Sequence, residues 1–414
     1  MMIKARALRL YIHDEIFGYL IGTNDGRNTL YFDASYRDNS SRKTLSLLTL
    51  HNKEWMNEPK SSAFVLNPLL SNLLPEGGLR ELVCNKLKIS SNNEFELLCA
   101  LGEDLPGAIT AKEIVLGELP KYLQQQYQNV SSEISKFDDF YRNKFSLAGV
   151  QMKYSMIERS GRFTLSNESS LGNWIVKTPS SLYQDVPANE YTCMRLAEFV
   201  GVDIPEIKLI ETDKIEILDN IKLSAEKYAF AIKRFDRRDE SSRVHIEDFA
   251  QILYLPPHKK YGYANYTNIG KLLYNFSSKP LEDIQQYMKR LLVNVLLGNG
   301  DAHLKNWSMI YPDNYNPRLS PAYDIVSTID YIANDSLALN FAKNKKFSDI
   351  NLESFEYISK KIGVPFKAIS HQLLDVIDVA RNYYSKELDN LPMNENQKTK
   401  LKKHWASLHK DFRF

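Results

Sequence analysis

Residues 300–306 read GDAHLKN, and the interpretation of the whole chain starts from this stretch. It follows an amphipathic pattern at 281–297 that predicts a helix, and Gly298 and Gly300 predict where that helix ends. Asp301 and Asn306 stand in the spacing D-x-x-x-x-N. Phosphoryl transfer uses such a pair, because a carboxylate accepts the proton of the attacking hydroxyl while a nearby amide oxygen holds magnesium. In isolation, such a stretch is more often an ordinary loop, since Asp, Asn and Gly are common turn residues.

A second carboxylate follows this loop. Residues 307–311 predict a strand and 312–317 a turn, so that Asp324 comes back on a hairpin 23 residues after Asp301. Magnesium prefers carboxylate and amide oxygens combined with substrate phosphates. The position of Asp324 after this predicted hairpin therefore indicates that it is the main metal ligand of a phosphoryl-transfer site.

A lysine upstream completes the pattern. Lys177 closes an apolar strand predicted at 174–178, which is typical of a lysine that grips nucleotide phosphates. Glu190 lies near the start of a helix predicted at 188–199, where it would pair with Lys177. The other reading of Glu190 is an acidic residue that stabilises a helix N-terminus.

Two further segments are weaker indications. Residues 146–153 (SLAGVQMK) precede a strand, and small residues there would let backbone N–H groups approach phosphate oxygens, although a plain hairpin turn fits as well. Residues 234–238 (RFDRR) join a β-rich half to a helical half. A hinge there would offer backbone groups to an adenine and Phe235 as an apolar face. The alternative is a run of charged surface residues, which fits Arg237 and Arg238 better than it fits Phe235.

Composition excludes several classes of protein. The chain has 414 residues, of which 43% are apolar and 25% charged, which argues against disorder, a coiled coil or a collagen-like fibre. The longest strongly apolar stretch, at 291–297, is far shorter than a membrane span, and the first residues lack the apolar core of a secretory signal. Three cysteines without a close pair suit a reducing cytosol, so a cytoplasmic location is expected. A net charge of +2 does not by itself require a nucleic-acid or membrane partner.

The order of predicted elements indicates an α+β fold with two lobes. We expect an N-terminal β meander with helices at 1–110, a connecting segment at 111–140, a β-rich lobe at 141–236 and a helical lobe at 237–414. The predicted helices include 69–87 and 246–255, and the polar stretch 124–136 is the best candidate for a linker.

Taken together, the motifs resemble those of the HipA toxin kinases of bacterial toxin–antitoxin modules, along nearly the whole chain. Eight motifs occur in the family's order: NLLPE at 72–76, SLAGVQMK at 146–153, WIVKTP at 174–179, NEY at 189–191, RFDR at 234–237, EDFAQ at 247–251, GDAHLKN at 300–306 and PAYDI at 321–325.

The resemblance implies a two-lobed, kinase-like α+β fold with an added N-terminal β-rich subdomain and an all-α C-terminal lobe. It also implies a serine/threonine protein kinase in which Asp301 is the catalytic base and Asn306 and Asp324 bind magnesium. Glu190 would be the ion-pair partner of the lysine that holds the ATP phosphates. The implied ATP-binding residues are Ala148, Gly149, Val150, Gln151, Met152, Lys153, Lys177, Lys233, Arg234, Phe235, His303, Leu304, Lys305, Asn306, Tyr323 and Asp324.

Regulation and partners are implied in the same way. Ser146 falls where members of the family autophosphorylate, which is thought to pull the phosphate loop out of the site and silence the enzyme. Members usually pair with a small helix-turn-helix antitoxin of the HipB type that binds operator DNA, and known targets include aminoacyl-tRNA synthetases. The sequence departs from the family at Lys233, where a Glu is expected, and at Ala148, where some relatives have a second modifiable serine.

Two alternatives stay open from the sequence. Small-molecule phosphotransferases also carry a loop like 300–306, although they need neither the N-terminal meander nor the Ser146 loop. A non-catalytic co-repressor that acts with a DNA-binding antitoxin is the other. Residues 398–413 would permit a nucleic-acid or acidic partner, since they hold six basic residues and one acid with Trp405 and Phe412 interleaved, but a solvated helix face is the favoured explanation.

Overall fold

The computed structural model describes residues 4–134, 152–165, 171–216, 226–239 and 241–414. The predicted modification site Ser146 and the predicted phosphate-loop residues 148–151 lie outside the described residues. The chain forms two compact units, composed of Met1–Ile175, Asp236–Pro257 and Tyr311–Tyr315 in the first and of Val176–Phe235, His258–Ile310 and Asn316–Phe414 in the second. The four-part division expected from the sequence stays a prediction.

Strands and helices are both abundant in the described part of the chain. The strands are β1 (Lys4–Ile12), β2 (Glu15–Thr23), β3 (Arg27–Phe32), β4 (Lys60–Ala63), β5 (Ile109–Ile114), β6 (Ser131–Ser132), β7 (Lys153–Arg159), β8 (Arg162–Leu165), β9 (Trp174–Lys177), β10 (Ile207–Glu211), β11 (Ile215–Glu216), β12 (Tyr228–Lys233), β13 (His245–Asp248), β14 (Ser308–Tyr311) and β15 (Arg318–Leu319). The α-helices are α1 (Ala34–Asp38), α2 (Leu47–His51), α3 (Pro68–Ser71), α4 (Gly77–Leu87), α5 (Glu94–Leu101), α6 (Lys121–Gln126), α7 (Val186–Phe199), α8 (Phe249–Ile252), α9 (Tyr266–Phe276), α10 (Pro280–Leu296), α11 (Leu352–Ile362), α12 (Lys367–Val379), α13 (Ser385–Asn390) and α14 (Glu395–Ser407).

The first unit contains the antiparallel meander that the sequence predicts. β1, β2 and β3 pair antiparallel in succession, the sheet order is β4-β3-β2-β1-β5, and β6 pairs parallel with β1. Ala7, Leu8, Leu10 and Ile12 of β1 are completely buried. Because neighbouring side chains of a strand point to opposite faces, both faces of this central strand are covered.

Within the stretch 111–140, the described residues 111–134 contain regular structure. β5 continues to Ile114, and α6 and β6 follow before residue 134, so this stretch belongs to the packing of the first sheet. Leu119 and Leu123 are buried against Ala5 and Ala7, and Tyr127 packs beside them. Apolar residues at every fourth position give the otherwise polar stretch one apolar face, which is why it docks on the sheet.

Two helices predicted from the sequence are wrong in part. The helix expected at 69–87 is interrupted, since α3 ends at Ser71 and α4 begins at Gly77; Pro75 between them cannot continue a helix. The helix expected at 246–255 begins as β13. Asp248 then caps α8, because its carboxylate accepts from Gln251 N at 2.8 Å while its own amide donates to the Gln251 side chain at 3.0 Å.

The surface-charge interpretation of Arg237 is also wrong, whereas Arg238 is exposed as expected. The Arg237 side chain is completely buried in the first unit, with Nη2 3.0 Å from Asp104 Oδ1 and Nη1 2.9 Å from Asp236 Oδ2. A buried guanidinium requires such partners, because removing one of them leaves an uncompensated charge. Nothing in the local sequence reveals that Asp104 supplies one of these carboxylates.

The second unit is mainly helical. α10 packs against α9 and α12, and its buried side includes Leu291, Leu292 and Val293, as the amphipathic pattern predicts. Within the described residues, none of the helices combines the length and the apolar character needed to cross a bilayer. Cys84, Cys99 and Cys193 form no disulfide, as expected from their number and spacing.

The basic C-terminal stretch contains a packed helix, and three of its lysines have acidic partners. On α14, Lys398 pairs with Glu395 at 3.0 Å, Lys400 pairs with Asp330, and Lys402 pairs with Asp389 at 2.6 Å. The interleaved aromatic side chains, Trp405 and Phe412, are buried in the core of the second unit. These contacts favour the helix-face interpretation over a nucleic-acid interface.

Candidate active site

The loop at 299–303 is held by side-chain amides at both of its ends. The Asn299 side chain donates from Nδ2 to Asn294 Oδ1 on α10 at 2.9 Å, and its side-chain oxygen Oδ1 accepts from Asp301 N at 3.0 Å. Asn306 ends the short 3-10 helix Leu304–Asn306 and donates from Nδ2 to the Asp301 carbonyl at 2.8 Å. The D-x-x-x-x-N spacing therefore places the Asn306 side chain against the Asp301 backbone.

A second set of contacts supports the loop from the side of residues 328–335. Thr328 Oγ1 accepts from Gly300 N at 2.7 Å and lies 3.0 Å from the Gly298 carbonyl. The same hydroxyl bonds to the carboxylate of Asp335, whose pKa is raised by burial. A Cβ at Gly300 would lie 2.4 Å from an Asp335 oxygen, so glycine is the residue that lets this carboxylate approach the loop.

Replacing Thr328 with Val is expected to lower the free energy of unfolding by about 1–3 kcal/mol, because the Gly300 amide then loses its acceptor in a buried setting. Thr328→Ser keeps the hydroxyl and serves as the matched control. Urea unfolding followed by tryptophan fluorescence measures both. Equal midpoints for the Val and Ser variants would contradict this supporting role.

The predicted lysine, glutamate and second aspartate come together within the second unit. Lys177, the last residue of β9, forms ion pairs with Glu190 on α7 and with Asp324. The side chains of Lys177 and Glu190 are 5% and 3% exposed, whereas that of Asp324 is 21% exposed. Asp324 has a φ of +54°, a left-handed backbone that costs energy outside glycine and that recurs at functional sites.

The two carboxylates of this triad stabilise the charged form of Lys177. Burial alone would lower the pKa of Lys177, but the carboxylates of Asp324 and Glu190 outweigh it and raise that pKa above its ordinary value. The ammonium also lies 5.6 Å from the centre of the Phe230 ring on β12. Lys177 is therefore a permanent cation with one fully buried partner and one partner that reaches solvent.

A small cleft in the second unit is bordered by Asp324 of the triad. It is lined by polar side chains from three segments, among them Arg290, Asn294, Asn299, Asn306, Tyr323 and Asp324. Burial lowers the pKa of Arg290 to about 10. The Asn299 amide lies 3.4 Å from the Asp324 carbonyl, so the loop and the Asp324 segment are neighbours.

Asp301 faces a different set of side chains. Its carboxylate is 46% exposed and lies 3.9 Å from His303 Nε2. The hydroxyl of Tyr261 donates to Asp301 Oδ1 at 2.5 Å, and the Tyr261 ring meets His303 edge to face at 5.0 Å. The sequence did not single out Tyr261, because 40 residues separate it from Asp301 and its loop carries no motif.

The remaining predicted nucleotide residues divide into three groups. The rings of Phe235 and Tyr323 lie 5.7 Å apart with their planes tilted by 37°, and the Tyr323 hydroxyl donates to the Lys305 carbonyl at 2.9 Å. Lys233 N donates to the Glu206 carbonyl at 2.8 Å, so this amide is used by the pairing of β10 with β12. Arg234, Leu304 and Lys305 are buried. Met152 and Lys153 belong to the first unit, where Lys153 begins β7.

Comparison with known proteins gives a consistent result. The model of the HipA-like C-terminal domain matches residues 145–383, and that of the HipA N-terminal domain matches residues 8–112. A candidate kinase from Sinorhizobium fredii, Y4dM, is 36% identical over 397 residues, which cover 95% of this chain and 94% of that protein. The serine/threonine-protein kinase toxin HipA of Shewanella oneidensis is 27% identical over 64% of each chain.

A solved structure agrees on the fold. The HipA chain in the complex of HipA, HipB and operator DNA from Shewanella oneidensis MR-1 has a TM-score of 0.70 and 21% identity, covering 97% of this chain and 95% of that one. This likeness confirms the kinase-like α+β fold predicted from the sequence. The two family models, of which the C-terminal one matches more than half of the chain, show that the chain belongs to the HipA family.

Proposed function

We propose that the chain is an ATP- and Mg²⁺-dependent serine/threonine protein kinase. The observation that carries the proposal is the buried triad of Lys177, Glu190 and Asp324 beside the loop that presents Asp301 and Asn306. Kinases need these groups together, because the reaction depends on positioning and on electrostatic stabilisation of the transferred phosphoryl group.

Each side chain then has a defined task. Asp301 would orient the acceptor hydroxyl and accept its proton, for which its half-exposed carboxylate is accessible. Lys177 would hold the phosphates, and Glu190 would keep its ammonium directed toward them. His303, Leu304 and Lys305 are proposed to line the nucleotide site between these groups.

The residues present fit magnesium. Asp324 supplies carboxylate oxygens and Asn306 an amide oxygen, and both side chains line the same cleft. The Asn306 nitrogen is engaged by the Asp301 carbonyl, which leaves its oxygen as the atom for a cation. No cluster of three or more acidic, His or Cys ligands occurs in the described ranges. When bound, magnesium would neutralise charge on those phosphates.

The adenine is proposed to contact the segment Lys233, Arg234 and Phe235. Because Lys233 N already donates to Glu206, the proposed hydrogen bonds involve other backbone groups of this segment. The adjacent rings of Phe235 and Tyr323 provide an apolar face. Residues 148–151, with Met152 and Lys153, remain the proposed phosphate loop.

In the cell, we propose that the chain is the toxin of a toxin–antitoxin module in the cytoplasm. Its proposed partner is a HipB-like helix-turn-helix antitoxin, through which it would reach operator DNA, and the proposed substrate is a translation-related protein such as an aminoacyl-tRNA synthetase. Autophosphorylation of Ser146 is the proposed means of self-inactivation. The match to the HipA N-terminal domain supports a protein substrate over a small-molecule one. The acidic partners of Lys400 and Lys402 disfavour a direct DNA contact through α14, so the antitoxin is the proposed route to DNA.

Incubation of phosphatase-treated protein with labelled ATP and Mg²⁺ tests the proposal. Label on Ser146 that disappears with EDTA is the expected result, and mass spectrometry locates the phosphate. Label transferred to sugars or aminoglycosides, but to no protein, would favour the small-molecule alternative instead.

A further inference from the structure

Tyr261 lies in a loop of the second unit between the turn at 257–259 and α9. Its hydroxyl donates to Asp301 Oδ1 at 2.5 Å, and the Leu304 amide donates to the neighbouring Lys260 carbonyl at 3.3 Å. The loop is thus tied to the 300–306 loop by one backbone bond and by one side-chain bond to the proposed catalytic base.

The Tyr261 hydroxyl has the chemistry of a phosphoacceptor. A serine hydroxyl that attacks a phosphoryl group must donate a hydrogen bond to the base at about 2.6–3.2 Å before it loses its proton. The phenol is an uncharged O–H donor that already makes this contact with one oxygen of the Asp301 carboxylate.

The loop also has the freedom to release the contact. Tyr261 is 43% exposed and Tyr263 is 62% exposed. Gly262 between them has a φ of +80°, and a Cβ built there would meet nothing within 4 Å. The ring of Tyr261 meets His303 edge to face and lies 5.7 Å from the Lys260 ammonium. Because Tyr261 is exposed, a rotation of the loop breaks few packing contacts.

We propose that the hydroxyl of Tyr261 occupies the place of the acceptor hydroxyl at Asp301, so that a substrate serine or water must displace it before phosphoryl transfer. The inference rests on the proposed kinase function and adds a specificity element to it. Only an acceptor whose flanking residues move the 261–263 loop gains full access to the base, which disfavours water and thus wasteful ATP hydrolysis.

Tyr261→Phe tests the inference, because it removes the hydroxyl and keeps the ring against His303. All variants are made in a Ser146→Ala background, and their basal ATP hydrolysis is measured with Mg²⁺. The rate should rise roughly tenfold, the amount expected from losing a competing hydrogen bond to a charged group, while KM for ATP stays unchanged. With dephosphorylated casein as the acceptor probe, KM for casein should fall and kcat should stay constant. Tyr263→Phe, in the same loop, is the matched control and should behave like the parent.

The possible failures are distinguishable. Suppose that the parent hydrolyses ATP and that Asp301→Ala abolishes this activity. If the hydrolysis rate of Tyr261→Phe is then equal to or lower than that of the parent, the displacement model is overturned and the kinase proposal stands. A slower Tyr261→Phe variant would instead assign the hydroxyl a supporting role toward Asp301. If neither the parent nor any variant binds or turns over ATP, the kinase proposal fails and the inference fails with it.

Discussion

Replacement of Lys177 by Met is expected to lower the free energy of unfolding by about 3–5 kcal/mol and to abolish nucleotide binding. Removing one partner of a buried ion pair leaves the other charge uncompensated, and here two carboxylates, Glu190 and Asp324, would face each other without the ammonium. Methionine preserves the length and the apolar part of the side chain, so packing changes contribute little.

A double variant separates charge from packing. If the loss in Lys177→Met comes from the stranded carboxylates, adding Glu190→Gln should restore part of the stability and none of the nucleotide binding. Urea unfolding and fluorescence titration with an ATP analogue measure the two effects. Lys177→Met with wild-type stability would mean that the ion pairs are not formed in solution.

Asp301→Asn is expected to reduce phosphoryl transfer by about 10²–10⁴-fold while ATP affinity stays within about twofold of the parent. A positioned general base contributes a factor of this size, and the amide cannot accept the proton of the acceptor. The substitution keeps the shape of the side chain, so the backbone bonds to Asn299 and Asn306 are retained. Initial rates of label transfer from ATP give the result, and a rate within threefold of the parent would remove Asp301 from the proposed role.

The contacts within the proposed catalytic constellation were predictable because much of it is local. The five-residue step from Asp301 to Asn306 spans one loop, and Asp324 follows on a short hairpin of β14 and β15. Lys177 and Glu190 could be paired from the sequence because a strand end and the start of the next helix are separated by a short loop. These contacts follow from chain order and element type, so one sequence contains enough information.

Other contacts depend on the packing of segments that are distant in sequence. Arg237 is buried because Asp104, 133 residues away, lies beside it, and its local pattern is typical of an exposed charge run. Tyr261 reaches Asp301 because the loop before α9 passes beside the 300–306 loop. The spacing of residues in the sequence does not predict this path. The 119–123 stretch became part of the first sheet's core through a few apolar residues in a polar segment.

Asp324 and Asn306 are proposed to form, with Lys177, one site for ATP and magnesium. Calorimetric titration with a non-hydrolysable ATP analogue, with and without Mg²⁺, tests it most directly on the parent, on Asp324→Asn and on the exposed control Asp375→Asn. We predict that Mg²⁺ strengthens binding at least roughly tenfold in the parent and in Asp375→Asn, and that this gain disappears in Asp324→Asn. A parent that binds no nucleotide, or an Asp324→Asn variant that keeps the full magnesium effect, would contradict the account.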